Sequence, residues 1–205
     1  AYTSDWYSMD AAYRHMCTAY LRARSVECDT LEEPARAVAD WAENLYSNWF
    51  LADANACWTS AAQGELADCG YIEGPERQDE FYWHVLPTFV GSAKTTVVIV
   101  SDALRYEVAC DVAALLERER GGNVKVSSMQ AVFPSITEVG MPALLPHQAL
   151  GLAADGSFVL ADGKPTATTP QREAVLTHVE PTARALRSSA YLNMAGTERK
   201  ALLKD

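Results

Sequence analysis

Apolar positions in the first 90 residues recur at helical spacing. Met9, Tyr13, Met16 and Tyr20 stand 4, 3 and 4 residues apart, and Val38, Trp41, Leu45 and Trp49 stand 3, 4 and 4 apart. Such spacing places each set on one face of a helix, where it is expected to face a core. Pro34 suits a first helical turn. A third stretch, residues 80–86, is expected to stop at Pro87. Trp6, Trp41, Trp49 and Trp58, four of the five tryptophans, fall in the first 60 residues and read as core anchors.

The pattern changes near Gly91-Ser92-Ala93-Lys94, which reads as a linker. Val97 to Val100 is a continuous β-branched run, the signature of a parallel strand covered on both faces. Leu104 to Arg120 follows as an amphipathic helix carrying Val108, Val112, Leu115 and Leu116. Gly121-Gly122 should end it, and Val124 to Met129 reads as a second strand. A βαβ unit of this kind builds a parallel α/β sheet. Ser157 to Leu160 and the turn Ala161-Asp162-Gly163-Lys164 predict a small hairpin. Helices near 171–186 and 196–204 follow. No strand is predicted after them, so the sheet is expected to be incomplete. The expected organisation is an acidic helical region over 1–90 and the first part of an α/β domain over 91–205.

Composition removes several classes. Of the 205 residues 49% are apolar and 21% charged, which argues against disorder. No apolar run reaches the roughly 20 residues that span a bilayer, and no basic segment followed by an apolar one marks a signal peptide. The chain lacks an initiator Met, so processing or excision from a longer protein is expected. Five cysteines at irregular spacing include no C-x-x-C pair, which favours reduced thiols in a cytoplasmic protein. The net charge of −10 is concentrated: residues 1–90 hold 15 acidic side chains against 5 basic ones, while 91–205 hold 12 of each. That first region would repel a nucleic-acid backbone. It is either a solvated acidic surface or a docking face for a basic partner.

Two positions carry candidate chemistry. Asp102 falls where the first strand should end, the place where open α/β sheets form sites. There it either binds a divalent cation or caps the helix that follows. Ser135 and Thr137 follow Pro134 in a turn. A hydroxyl there either attacks phosphorus beside a metal or serves as an N-cap. No G-x-G-x-x-G or G-K-[ST] loop follows the strand, which disfavours a nucleotide-binding domain.

The run Val98-Ile99-Val100-Ser101-Asp102-Ala103-Leu104-Arg105-Tyr106-Glu107, then Phe133-Pro134-Ser135-Ile136-Thr137-Glu138-Val139-Gly140-Met141, then Leu144-Leu145-Pro146-His147, resembles the PglZ family. That family belongs to the alkaline phosphatase superfamily and is associated with BREX and Pgl bacteriophage-exclusion systems. The resemblance is specific between about 97 and 147 and loose elsewhere. It implies an alkaline phosphatase-like α/β/α domain and a divalent metal cofactor, zinc by analogy. Asp102 would be a metal ligand, and Thr137 a nucleophile that also contacts metal. Arg105 would contact a phosphate oxygen, or else form a salt bridge on its helix. Ser135 is a secondary nucleophile candidate and His147 a secondary ligand candidate, while Tyr106 and Glu107 read as structural. Pro142 departs from the family pattern and should shorten the helix after Thr137. The later Asp and His ligands of the superfamily have no counterpart after Thr137. The chain is therefore expected to be an inactive fragment of a phage-defence phosphoester or phosphodiester hydrolase. The alternative is a non-catalytic scaffold that binds other proteins of the defence system.

Overall fold

The structure is a computed structural model that describes residues 2–26, 29–90, 95–120 and 123–202. The expected linker at 91–94 and the expected helix stop at Gly121-Gly122 lie outside the described residues. The chain divides into two compact units. One holds the residues up to Cys69 with Ala103–Ser128; the other holds Gly70–Asp102 with the residues from Met129 onward.

The first unit is helical. A π-helical turn, Tyr2–Trp6, leads into α1, Tyr7–Arg24. Helix α2, Asp29–Asn44, continues through a π-helical stretch, Leu45–Leu51, into α3, Ala52–Cys69; Asn44 and Ala52, at the joints, keep right-handed helical backbone. Helix α5, Tyr106–Arg120, packs against α1, as does α2. The helical periodicity is met, but the burial expected from it is not. Ala39 and Tyr46 are buried positions of α2 and its extension, whereas Val38, Trp41, Leu45 and Trp49 are exposed, Trp41 by 67%. Ala39 and Tyr46 take the packed face, and the large apolar row falls beside it, about 100° around the helix. The tryptophans are thus not core anchors here. Pro34 lies inside α2 rather than in its first turn; the helix begins five residues earlier than its proline suggests.

Buried polar groups organise this unit. Asp10 accepts the Tyr46 hydroxyl at 2.6 Å and the Tyr2 hydroxyl as well. Glu107, fully buried, accepts Arg14 Nε at 3.0 Å. Tyr13 stacks on Tyr46 with ring centroids 3.9 Å apart, and Tyr106 packs edge-on against Tyr7. A charge buried this deeply persists only when paired, and both carboxylates are.

The second unit contains a 3-10 turn, Gln78–Glu80, a π-helical turn, Phe81–Val85, and α4, Leu86–Val90. Helix therefore runs past Pro87 instead of stopping at it. Helix α6, Thr137–Ala143, is short, with Pro142 inside it, as the proline predicted. Strands β1 (Leu150–Leu152), β2 (Val159–Ala161) and β3 (Lys164–Pro165) form an antiparallel sheet in the order β1-β2-β3. The β2–β3 turn uses Asp162 and Gly163 at φ 49° and 76°, the left-handed pair that a two-residue hairpin needs. Helix α7, Thr169–Val179, opens with a capping box between Thr168 and Gln171, and α8 (Ser188–Asn193) and α9 (Gly196–Leu202) follow. Leu145, Ala161 and Val175 form the core of this unit, with Leu150 and Leu176 packed on it.

The parallel sheet is where expectation and structure part. Residues 95–101 and 123–129 belong to no strand, and the apolar run is uncovered, Ile99 being 86% exposed. A parallel strand needs a neighbouring strand and cover on both faces, and the described residues supply neither for 97–100. Among the described residues the parallel pairing is a single bridge, Arg77 with Gln130. No helix among the described residues is long and apolar enough to cross a membrane.

Candidate functional site

The two residues singled out 35 positions apart meet. Thr137 Oγ1 donates to Asp102 Oδ2 at 2.9 Å, within the second unit. Neither occupies the N-cap position of the helix that follows it. Asp102 lies in a turn four residues before α5 begins, and the N-cap of α6 is Ile136, with no side-chain capping bond. The Thr137 hydroxyl is thereby committed to a carboxylate. After Asp102 the chain passes through Ala103 at φ 56°, a left-handed backbone that costs an alanine roughly 1–2 kcal/mol.

Thr137 is the first residue of α6, and its segment is fixed on both sides. Ile136 N donates to Pro134 O at 2.8 Å, and the amides of Val139 and Gly140 close on Ile136 O at 3.0 and 2.8 Å. Gln78 reaches the same segment, its side chain bonding to Val132 N and Gly140 O. No sequence signal marked Gln78, since Arg77-Gln78-Asp79-Glu80 reads as an ordinary polar helix start. It comes into play through the bridge between Arg77 and Gln130, 53 positions apart.

The other candidates are distributed as follows. Arg105 lies in the first unit, its guanidinium 3.6 Å from Asp10 and 3.5 Å from Glu107. Ser135 is exposed. His147 is buried, its Nδ1 bonded to Leu145 O at 2.7 Å while its own carbonyl accepts Trp83 Nε1 at 3.0 Å. It is a packing histidine.

Asp102 and Thr137 are hard oxygen donors of the kind a divalent cation prefers. Among the described residues no three His, Cys, Asp or Glu side chains converge into a group able to hold a metal. The pair fits part of a metal site and not a whole one.

The family model described as "BREX system PglZ alkaline phosphatase-like domain" matches residues 81–205. Across 82% of its length the chain is 34% identical to the "Alkaline phosphatase-like protein PglZ" of Bacillus cereus, covering 19% of that protein. Across its whole length it is 33% identical to the "Alkaline phosphatase-like protein BrxZ" of Escherichia coli, covering 24% of it. The chain therefore spans less than a quarter of these curated relatives. No solved structure matches it. With more than half of its residues matched by that model, and Asp102 and Thr137 among them, the chain belongs to the PglZ family of alkaline phosphatase-like proteins.

Proposed function

We propose that the chain is part of a metal-dependent phosphoester hydrolase, most naturally a phosphodiesterase, of a cytoplasmic phage-defence system. Residues 1–90 are its acidic helical region, and 91–205 begin its phosphatase-like domain. The observation that carries this reading is the 2.9 Å bond from Thr137 to Asp102, because a nucleophilic hydroxyl needs a neighbouring group that orients it and favours loss of its proton. Thr137 is the nucleophile and Asp102 the carboxylate that aims it. Both oxygens would hold a divalent ion, zinc by analogy, which when bound lowers the alcohol's pKa and stabilises charge developing on the phosphoryl oxygens. The remaining ligands would come from other parts of a longer protein, in keeping with the chain's 19% and 24% coverage of its relatives. There Val97 to Val100 would gain the neighbours of a parallel strand. Arg105 would bind a phosphate oxygen, as the family resemblance implies. Free thiols at Cys17, Cys57, Cys69 and Cys110 suit a cytoplasmic setting.

The experiment is metal-dependent hydrolysis of an aryl phosphate diester by the longer protein that contains this chain. Thr137→Ala should reduce the rate to background, at least a thousand-fold if chemistry limits turnover. An unchanged rate would refute the nucleophile assignment. A second reading, a scaffold that binds other defence proteins, draws on the exposed row Val38, Trp41 and Trp49 of the helical region; exposed apolar faces of this kind mark interaction surfaces.

A further inference from the structure

We infer that Gln78 is the positioning residue of the candidate site, setting where Thr137 stands relative to Asp102; the inference rests on the catalytic reading of that pair. The side chain of Gln78 spans the nucleophile segment. Its Oε1 accepts Val132 N at 3.1 Å, five residues before Thr137, and its Nε2 donates to Gly140 O at 3.1 Å, three residues after it. A single carboxamide thus holds both arms of the turn that presents the hydroxyl.

The carboxamide is itself anchored. Gln78 N donates to Gln130 O at 2.9 Å and Gln130 N donates to Glu76 O at 2.7 Å, so the backbone of Gln78 is fixed to the strand-like stretch that leads into the same turn. Gln130 is held in turn by Ile72 N, which donates to its Oε1 at 3.0 Å. Every one of these groups lies in the second unit with Asp102 and Thr137.

Two features make this an aiming device rather than general packing. Helix α6 has seven residues and no side-chain cap, so its first turn is poorly fixed by its own hydrogen bonds. At Gly140 a Cβ would come within 3.2 Å of Gln78 Nε2. The carboxamide therefore lies closely against the helix backbone, where a Cβ at position 140 would push it by a few tenths of an ångström. An amide is required chemically, because one end must accept from an N–H and the other must donate to a carbonyl. Glutamate satisfies the first and opposes the second; leucine satisfies neither. A displacement of about 1 Å at a reacting group is enough to cost on the order of a hundred-fold in rate.

The test pairs amide exchange on the chain with kinetics on the longer protein. In Gln78→Leu, exchange at Val132 should rise at least ten-fold, while amides of β1 and β2 keep their protection. In Gln78→Glu, Val132 should stay protected. Both variants should lower kcat on the aryl diester ten- to a hundred-fold with KM changed less than three-fold. Unchanged exchange at Val132 in Gln78→Leu, or loss of protection spread equally over β1 and β2, would overturn the inference. So would local loosening with full kcat in protein that Thr137→Ala inactivates. If Thr137→Ala leaves the rate intact, the catalytic reading fails and the aiming role of Gln78 fails with it, while exchange at Val132 still decides whether Gln78 holds the turn.

Discussion

Replacing Tyr46 by Phe should destabilise the helical unit, and replacing Asp10 by Ala should do so about twice as much. Asp10 is buried and receives the Tyr46 hydroxyl at 2.6 Å, the Tyr2 hydroxyl, and the Arg105 guanidinium at 3.6 Å. A hydrogen bond to a charged group contributes about 1.5–3 kcal/mol. In Tyr46→Phe the carboxylate keeps Tyr2 and Arg105, and the ring keeps its stack on Tyr13. The cost should lie near the lower end, about 1.5 kcal/mol. In Asp10→Ala two hydroxyls lose their acceptor, so about 3 kcal/mol is expected. The double variant should cost little more than Asp10→Ala alone, a coupling of about 1–1.5 kcal/mol. Urea unfolding followed by helical circular dichroism measures all three, with m-values unchanged if the unfolded state is unaffected. Strict additivity, or a Tyr46→Phe variant within about 0.3 kcal/mol of the parent, would show that Asp10 is not the hub it is taken to be.

Two predictions concern pH. Burial, reinforced by the Asp10 carboxylate, raises the phenol pKa values of Tyr2 and Tyr46 above the usual 10.0. A raised folded-state pKa gives stability that is full below pH 10 and declines as pH climbs through the folded values. Unfolding midpoints should therefore fall in strong alkali, and less so in Tyr2→Phe. At the other end, the Ala149 amide, then that of Gln148, holds the Asp162 carboxyl below its usual 3.8. That contribution is present above pH 4 and disappears as pH drops through the folded value. Asp162→Asn, which tolerates the left-handed backbone, should flatten the acid limb of the stability profile; an acid limb identical to the parent's would refute the assignment.

How far the sequence could be read depended on whether its signals were local. Helices α1, α2 and α5 and the Asp162-Gly163 turn were legible because period and turn chemistry are encoded in neighbouring residues. Burial was not legible. The row Val38, Trp41, Leu45 and Trp49 has the same period whether it faces a core or solvent, and the outcome turned on Ala39 and Tyr46 taking the packed side. The run Val97 to Val100 announces a strand without naming its neighbours. Asp102 and Thr137 each carried a capping alternative until their motif joined them; the structure puts their oxygens 2.9 Å apart. Gln78 was beyond reach, since a glutamine's partners at positions 132 and 140 leave no local trace.

The uncovered segment Thr95-Thr96-Val97-Val98-Ile99-Val100 has a consequence for the chain as a substance. It is six residues of high β propensity with no charge, proline or glycine, the composition of self-stacking cross-β segments. Its apolar side chains are open to solvent, so concentrated chains would meet through this segment and zip strand to strand. Chaperone demand, inclusion bodies and slow fibre growth are what such a surface invites. A charge placed at the Ile99 position would relieve them in the chain by itself, at the expense of the parallel strand proposed for Val97 to Val100 in the longer protein.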